Sequence, residues 1–203
     1  MKNHSYANRG EDLEYYIKFA NERYRQYGIA FIHKNATEFK PLRNQDGKIV
    51  NCKVEGKATI DFLGRLKQYP LAVEAKNSNK PSIDWSRVED NQAEDMEIFC
   101  REPGTIGLVV VSFSYKRFFA IPWIFWEKAY DLRVRKKDSK TPLTVEAYGT
   151  TWEIPKKASF RIDEIPAEFE VQQFDPKYTL HYLKNAFRYI TPPCNAKKLK
   201  IEL

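Results

Sequence analysis

The chain has 203 residues, 42% of them hydrophobic and 30% charged, which excludes a disordered chain and leaves room for one substantial core. Its formal net charge of +7 favours an anionic partner, nucleic acid being the commonest. No apolar run approaches the ~20 residues that span a bilayer, the first residues lack a signal peptide's apolar segment, and Cys52, Cys100 and Cys194 are too scattered for a disulfide framework or a zinc site, so the expected location is the cytoplasm, with no membrane partner.

In chain order, Gly10 to Tyr27 reads as a helix, with Leu13, Ile17, Ala20 and Tyr24 forming one apolar stripe. Glu14 borders that stripe, either as a surface acid or as a carboxylate aimed at a site elsewhere. Gly28 ends the helix, and Ile29 to Lys34 is an apolar strand expected to be buried on both faces. Residues 35–57 turn polar and basic, carrying Lys40, Arg43, Lys48, Lys53 and Lys57 around an Asp46-Gly47 turn. That pattern predicts a two-stranded projection, either a plain surface hairpin or an arm that touches phosphates.

The stretch from Lys57 to Ser78 carries the chemistry. Asp61 closes a short β-like run over Ala58 to Phe62, Gly64 and Arg65 are expected to turn, and Pro70 to Lys76 is a second strand. The period of two puts Glu74 and Lys76 on one face, and a hairpin can return Asp61 beside them. Two carboxylates offer hard oxygen ligands suited to Mg²⁺, and a lysine beside them can orient water and offset charge on phosphorus. Asp61, Glu74 and Lys76 thus read as D-x(12)-E-x-K, a metal-dependent nuclease pattern, although E-x-K alone also marks ordinary exposed strand edges.

Ser86 to Glu89 predicts a capping box at the start of a helix with Val88, Met96 and Phe99 on its buried stripe. Gln92 shares that stripe, as a tie to backbone or as a group facing a wet cleft. Pro103-Gly104 stops the helix. Ile106 to Phe113 is a buried strand, Arg117 to Ile121 its neighbour, and Trp123 to Asp131 a short helix. A basic run follows at Arg133 to Lys137, then a hairpin over Leu143–Tyr148 and Thr151–Ile154, a short strand over Phe160 to Ile165, and a helix from Pro176 to about Tyr189. A lysine-bearing tail closes the chain. The order predicts an α/β protein with a mixed sheet flanked by helices.

Several of these segments resemble the RecU family of Holliday junction resolvases. They are N-R-G-x-x-L-E over Asn8 to Glu14, I-A-F-I-H-K over Ile29 to Lys34, T-I-D-F-x-G over Thr59 to Gly64, V-E-A-K over Val73 to Lys76, Asn91-Gln92 followed by Met96, and Arg161-Ile162-Asp163. The resemblance is closest over 8–131. It implies a single domain over 1–203 with a restriction-endonuclease-like core at 8–131, a stalk-like arm at 35–57 and a C-terminal extension at 132–203. It further implies a homodimer that nicks branched DNA, the four-way junction, with Mg²⁺, Mn²⁺ being able to substitute. Asp61, Glu74 and Glu14 would hold the metal, Lys76 would assist the attacking water, and Gln92 would back the site. Arg9 and Lys34, within the resembling motifs, join Lys40, Arg43, Lys48, Lys53 and Lys57 as the expected DNA-contacting set. The chain departs from the family pattern at Ile60, where a hydroxyl residue commonly precedes the aspartate, and in a shorter, less aromatic arm. A phage-borne or divergent member would carry such departures. The other readings of the same residues are a nuclease of this core acting on other DNA, in restriction or repair, and a non-catalytic DNA-binding protein.

Overall fold

A computed structural model describes residues 11–35, 38–56 and 60–192. Helix α1 (Glu11–Gln26) forms on the expected stripe: Leu13, Ile17, Ala20 and Tyr24 are all buried. It ends where Gly28 takes a φ of 64°, a left-handed geometry that glycine adopts without strain.

Strand β1 (Ala30–Lys34) follows, then β2 (Glu38–Arg43) and β3 (Ile49–Gly56), β4 (Phe62–Leu66) and β5 (Tyr69–Ser78). A short β6 (Ser82–Asp84) leads through a 3-10 turn at Trp85–Arg87 into α2 (Asp90–Arg101). Then come β7 (Ile106–Phe113), β8 (Arg117–Pro122) and α3 (Trp123–Tyr130), which runs on as a π-helical turn over Asp131–Arg135. The remainder is built of β9 (Leu143–Ala147), β10 (Thr150–Ile154), β11 (Ser159–Arg161), β12 (Glu170–Val171), β13 (Gln173–Asp175) and β14 (Thr179–Leu180), with 3-10 turns between.

The central sheet has six strands in the order β1-β4-β5-β7-β8-β12. All pairings are antiparallel except β5 with β7, whose parallel register runs from Leu71 opposite Ile106 to Ser78 opposite Phe113. The parallel pair needs a crossover, and α2 supplies it. Every residue of β7 is buried, as its unbroken apolar run requires. The sheet is therefore mixed, and the α/β expectation holds.

Several local expectations differ from what forms. β1 is not covered on both faces. It is an edge strand, its residues alternate, and Phe31 is exposed. Gly64 and Arg65 do not turn. They lie inside β4, and the turn comes at Lys67-Gln68, with Lys67 at φ 54°. The glycine serves the sheet instead: a Cβ at position 64 would stand 2.1 Å from the Phe31 carbonyl oxygen and 2.6 Å from the Ile32 Cα. The helix expected from Ser86 begins at Asp90, because Trp85–Arg87 is spent on a 3-10 turn that buries Trp85, and the cap is Glu89. The strand expected over Phe160 to Ile165 is β11 alone, paired with β6, and Ile162–Glu164 is a 3-10 turn.

The helix expected over Pro176 to Tyr189 is replaced by the β13–β14 hairpin and turns. Asp175 Oδ1 accepts the Lys177 and Tyr178 amides, each at 2.9 Å, and Thr179 takes a φ of 64°, so a turn closes where a helix would start. The apolar side chains of the segment are buried nonetheless. Leu180, Tyr182, Leu183, Ala186 and Tyr189 pack into the core. Tyr24 ties this segment to α1: its hydroxyl donates to the Leu180 carbonyl and accepts the Leu183 amide, both at 3.3 Å. Tyr182 donates to Asn21 Oδ1 at 2.5 Å.

The basic run after α3 is largely structural. Arg133 is buried, donating to the Pro155 and Asp138 carbonyls at 3.1 and 2.8 Å. Arg135 pairs with Glu97 at 2.6 Å and Asp131 at 2.8 Å. Among the described residues no helix is long and apolar enough to cross a membrane. The lysines of the tail and Cys194 lie outside the described residues.

Candidate active site

The β4–β5 hairpin brings Asp61 to Glu74, as the spacing requires. Asp61 sits one residue before β4, and three backbone or side-chain bonds fix it. Its amide donates to Glu74 Oε2 at 3.2 Å, its carbonyl accepts the Asn35 amide at 2.8 Å, and its Oδ2 accepts the Ala75 amide at 2.8 Å. Thr59 and Ala58, before it, lie outside the described residues.

Glu74 is carried in the middle of the sheet, on β5 between β4 and β7, and is 0% exposed. Lys76, two residues on, places its Nζ 2.7 Å from Glu74 Oε1. Beyond this ion pair, Oε1 meets no other partner among the described residues. Burial pushes the Glu74 carboxyl up from its ordinary 4.5 to about 8. The Lys76 charge pulls it back in part, and the neighbouring Asp61 adds to the rise. Lys76 Nζ also donates to Gln92 Oε1 at 2.8 Å. The same oxygen accepts the Glu89 amide at 3.1 Å, so Gln92 belongs at once to the helix cap and to the site. Its two readings are one arrangement: the tie to backbone aims the amide at the lysine.

Asp61, Glu74, Lys76 and Gln92 are therefore linked in series, each to the next, at the end of β5 and the first turn of α2. Among the described residues no hydrogen bond or ion pair joins Glu14 to them. It pairs with Lys34 across α1 and β1. No group of three or more His, Cys, Asp or Glu side chains that could hold a metal forms among the described residues. Two carboxylates still suit Mg²⁺, which binds through one or two of them and keeps its waters. A buried carboxylate met by a single ammonium at Oε1 is a fitting place for a hard cation, which would also hold Glu74 ionised.

Of the expected DNA-contacting set, Lys40, Arg43, Lys48 and Lys53 are exposed on the two-stranded β2–β3 hairpin. The turn of that hairpin is held by Asn44 Oδ1, which accepts the Asp46 and Lys48 amides at 3.1 and 2.9 Å. Arg43 donates to the Gly47 carbonyl at 2.8 Å, with Gly47 at φ 77°. Arg9 and Lys57 lie outside the described residues.

One part of the site escaped the sequence reading. A cavity of about 510 Å³ opens from Lys76 and continues over Asn77, Asn79, Lys80 and Arg87. Its signal was the polar run N-S-N-K directly after V-E-A-K, which resembled an ordinary loop.

The model of the family RecU, recombination protein U, matches residues 8–186. The chain is 27% identical over 192 residues to a Holliday junction resolvase RecU from Staphylococcus saprophyticus, covering 91% of this chain and 83% of that one. It is 29% identical to one from Streptococcus suis, covering 71% and 73%. It is 31% identical to one from a Geobacillus species over 116 residues, covering 54% and 57%.

Proposed function

Because the chain belongs to the RecU family, recombination protein U, we propose that it is an endodeoxyribonuclease that resolves four-way DNA junctions in recombination and repair, its relatives being named Holliday junction resolvases. The observation that carries this is the buried Glu74 carboxylate, wedged between the Asp61 amide and the Lys76 ammonium. A DNA-binding protein that performs no chemistry gains nothing from burying an acid in its central sheet at that cost.

In this reading a water oxygen attacks the scissile phosphorus while one phosphorus–oxygen bond to deoxyribose breaks. Lys76, its Nζ fixed by Glu74 and Gln92, orients the water and offsets the charge that builds on the phosphoryl oxygens. Asp61 and Glu74 would hold Mg²⁺, with Mn²⁺ able to substitute, and the ion would supply Lewis acidity. Glu14 lends a third carboxylate, which frees its partner Lys34 for DNA.

The finer architecture follows the same line. Residues 8–131 form a restriction-endonuclease-like core, 132–203 pack on it, and the β2–β3 hairpin, with its exposed cations and exposed Leu42, Ile49 and Val50, is a stalk that meets the junction centre. A four-way junction is cut symmetrically on two strands, which a homodimer with two equivalent sites matches. Work on DNA junctions fits a cytoplasmic location.

The test is cleavage of a labelled four-way junction with Mg²⁺ beside linear duplex of the same sequence. Paired symmetric nicks confined to the junction are expected. Equal cutting of both would assign the site to a nuclease with another DNA substrate, and junction binding without any cutting would leave only a DNA-binding protein.

A further inference from the structure

The cavity that opens from Lys76 has no role in the chemistry just described. Its floor is the end of β5, Ala75 to Ser78, and its far wall is β6 with Arg87. This is the carboxyl end of a parallel strand beside a crossover, the place where open α/β sheets take their ligands. Two cations line it beyond Lys76. Lys80 is exposed and has no ion-pair partner among the described residues. Arg87 is exposed and is held by one bond, from Nη2 to the Asn77 carbonyl at 3.3 Å. Asp84 is the single acid in the lining, so the cavity keeps a positive balance. The loop that carries Lys80 is built, not loose. Ser78 Oγ donates to the Ser82 carbonyl at 2.7 Å and accepts the Lys80 amide at 3.2 Å, and Asn77 Nδ2 donates to Asn79 Oδ1 at 3.2 Å. Asn77 Oδ1 is buried with no donor, which suits a bridging water in a polar cavity.

We infer that Lys80 and Arg87 form a second phosphate site, which binds the backbone phosphate next to the scissile one on the strand being cut. The inference rests on the nuclease reading, because it takes Lys76 as the point where the scissile phosphate lies. A strand so placed carries its neighbouring phosphate into the cavity. There a lysine and a forked guanidinium meet it without base contacts, so the site sets register and not sequence.

The experiment separates the two ideas. Binding of a labelled four-way junction is measured over a salt series in the Asp61→Asn protein, with Lys80→Ala and Arg87→Ala added singly and together. Lys140→Ala, an exposed cation away from the cavity, serves as control. Each cavity substitution is expected to weaken binding roughly fivefold or more and to lower the salt slope by about 1, the signature of one lost phosphate contact. In the Asp61-intact protein the same substitutions raise KM more than they lower kcat. Arg87→Lys retains most of the slope, and an unchanged thermal midpoint of Lys80→Ala excludes misfolding. Slopes and affinities equal to those of the parent and of Lys140→Ala would overturn the phosphate site and leave the nuclease reading standing. If the Asp61→Asn protein fails to bind the junction at all, the nuclease reading falls and takes this inference with it.

Discussion

Asp61 and Glu74 differ in kind although both are carboxylates of one site. Asp61 is partly exposed, whereas Glu74 is fully buried, its carboxylate met by the Lys76 ammonium and the Asp61 amide. Asp61→Asn keeps an acceptor for the Ala75 amide, so it should fold normally, bind junctions and lose cleavage by at least ~100-fold, as read in single-turnover assays. Glu74 carries the pH dependence. A carboxyl whose folded value is raised from 4.5 to about 8 contributes stability that is fully present below pH 4.5 and is lost as pH rises through about 8. In chelator-treated protein, the thermal midpoint should therefore fall across that window relative to Glu74→Gln, which lacks the ionisation. Added Mg²⁺ should restore it most at the alkaline end, since cation binding requires the charged form. A flat difference between the two proteins would refute the buried, metal-free carboxyl. The juxtaposition of Asp61, Glu74 and Lys76 was legible because strand alternation and the hairpin fix their side, whatever the exact turn, whereas Gln92 was placed only on a face of α2 by its helical spacing. The pairing of Glu14 with Lys34 was not legible, because it depends on how α1 packs against β1, and no local pattern encodes that.

At the scale of elements, the sequence succeeds where periodicity and burial agree. The stripe of α1, the apolar run of β7 and the β9–β10 hairpin all form where expected. It fails where a residue's reason is a neighbour distant in sequence. Gly64 reads as a turn signal, yet its missing side chain is demanded by β1, whose backbone lies where a Cβ would stand. Gly64→Ala should accordingly force β1 and β4 apart, cost about 1–3 kcal/mol or more in urea unfolding, and slow cleavage by displacing Asp61 at the start of β4. Pro176 to Tyr189 fails for a related reason. Its spacing of apolar residues satisfies a helix, but Asp175 and Thr179 commit the backbone to a turn, and Tyr24 supplies partners for the groups a helix would have bonded itself. Tyr182→Phe removes the bond to buried Asn21 and should cost about 1–3 kcal/mol, the penalty of an acceptor stranded in the core.

For the whole molecule, charge and shape divide the labour of recognition. The net charge of +7 gives attraction to any nucleic acid, and the logarithm of affinity should fall linearly with that of salt. The β2–β3 hairpin stands apart as a two-stranded sheet of its own. Deleting residues 40–56 should lower preference for the junction over duplex by roughly tenfold, a step of about 1.4 kcal/mol, while duplex affinity drops less. Competition gels with both DNAs would measure it, and an unchanged ratio would remove the arm from junction recognition.

The clasp between α1 and the β14 region also orders events in time. Tyr24 and Asn21 find their partners at Leu180 and Tyr182, more than 150 positions later in the chain. Most of α1 can pack on β1, which follows it directly, but the end of the helix that carries Asn21 and Tyr24 waits for the β14 region before it is sealed. Closing so long a loop is slow. A chain interrupted before Leu180 therefore leaves Tyr24 and Asn21 without these partners, and the carboxyl-terminal end of α1 open to chaperones and proteases.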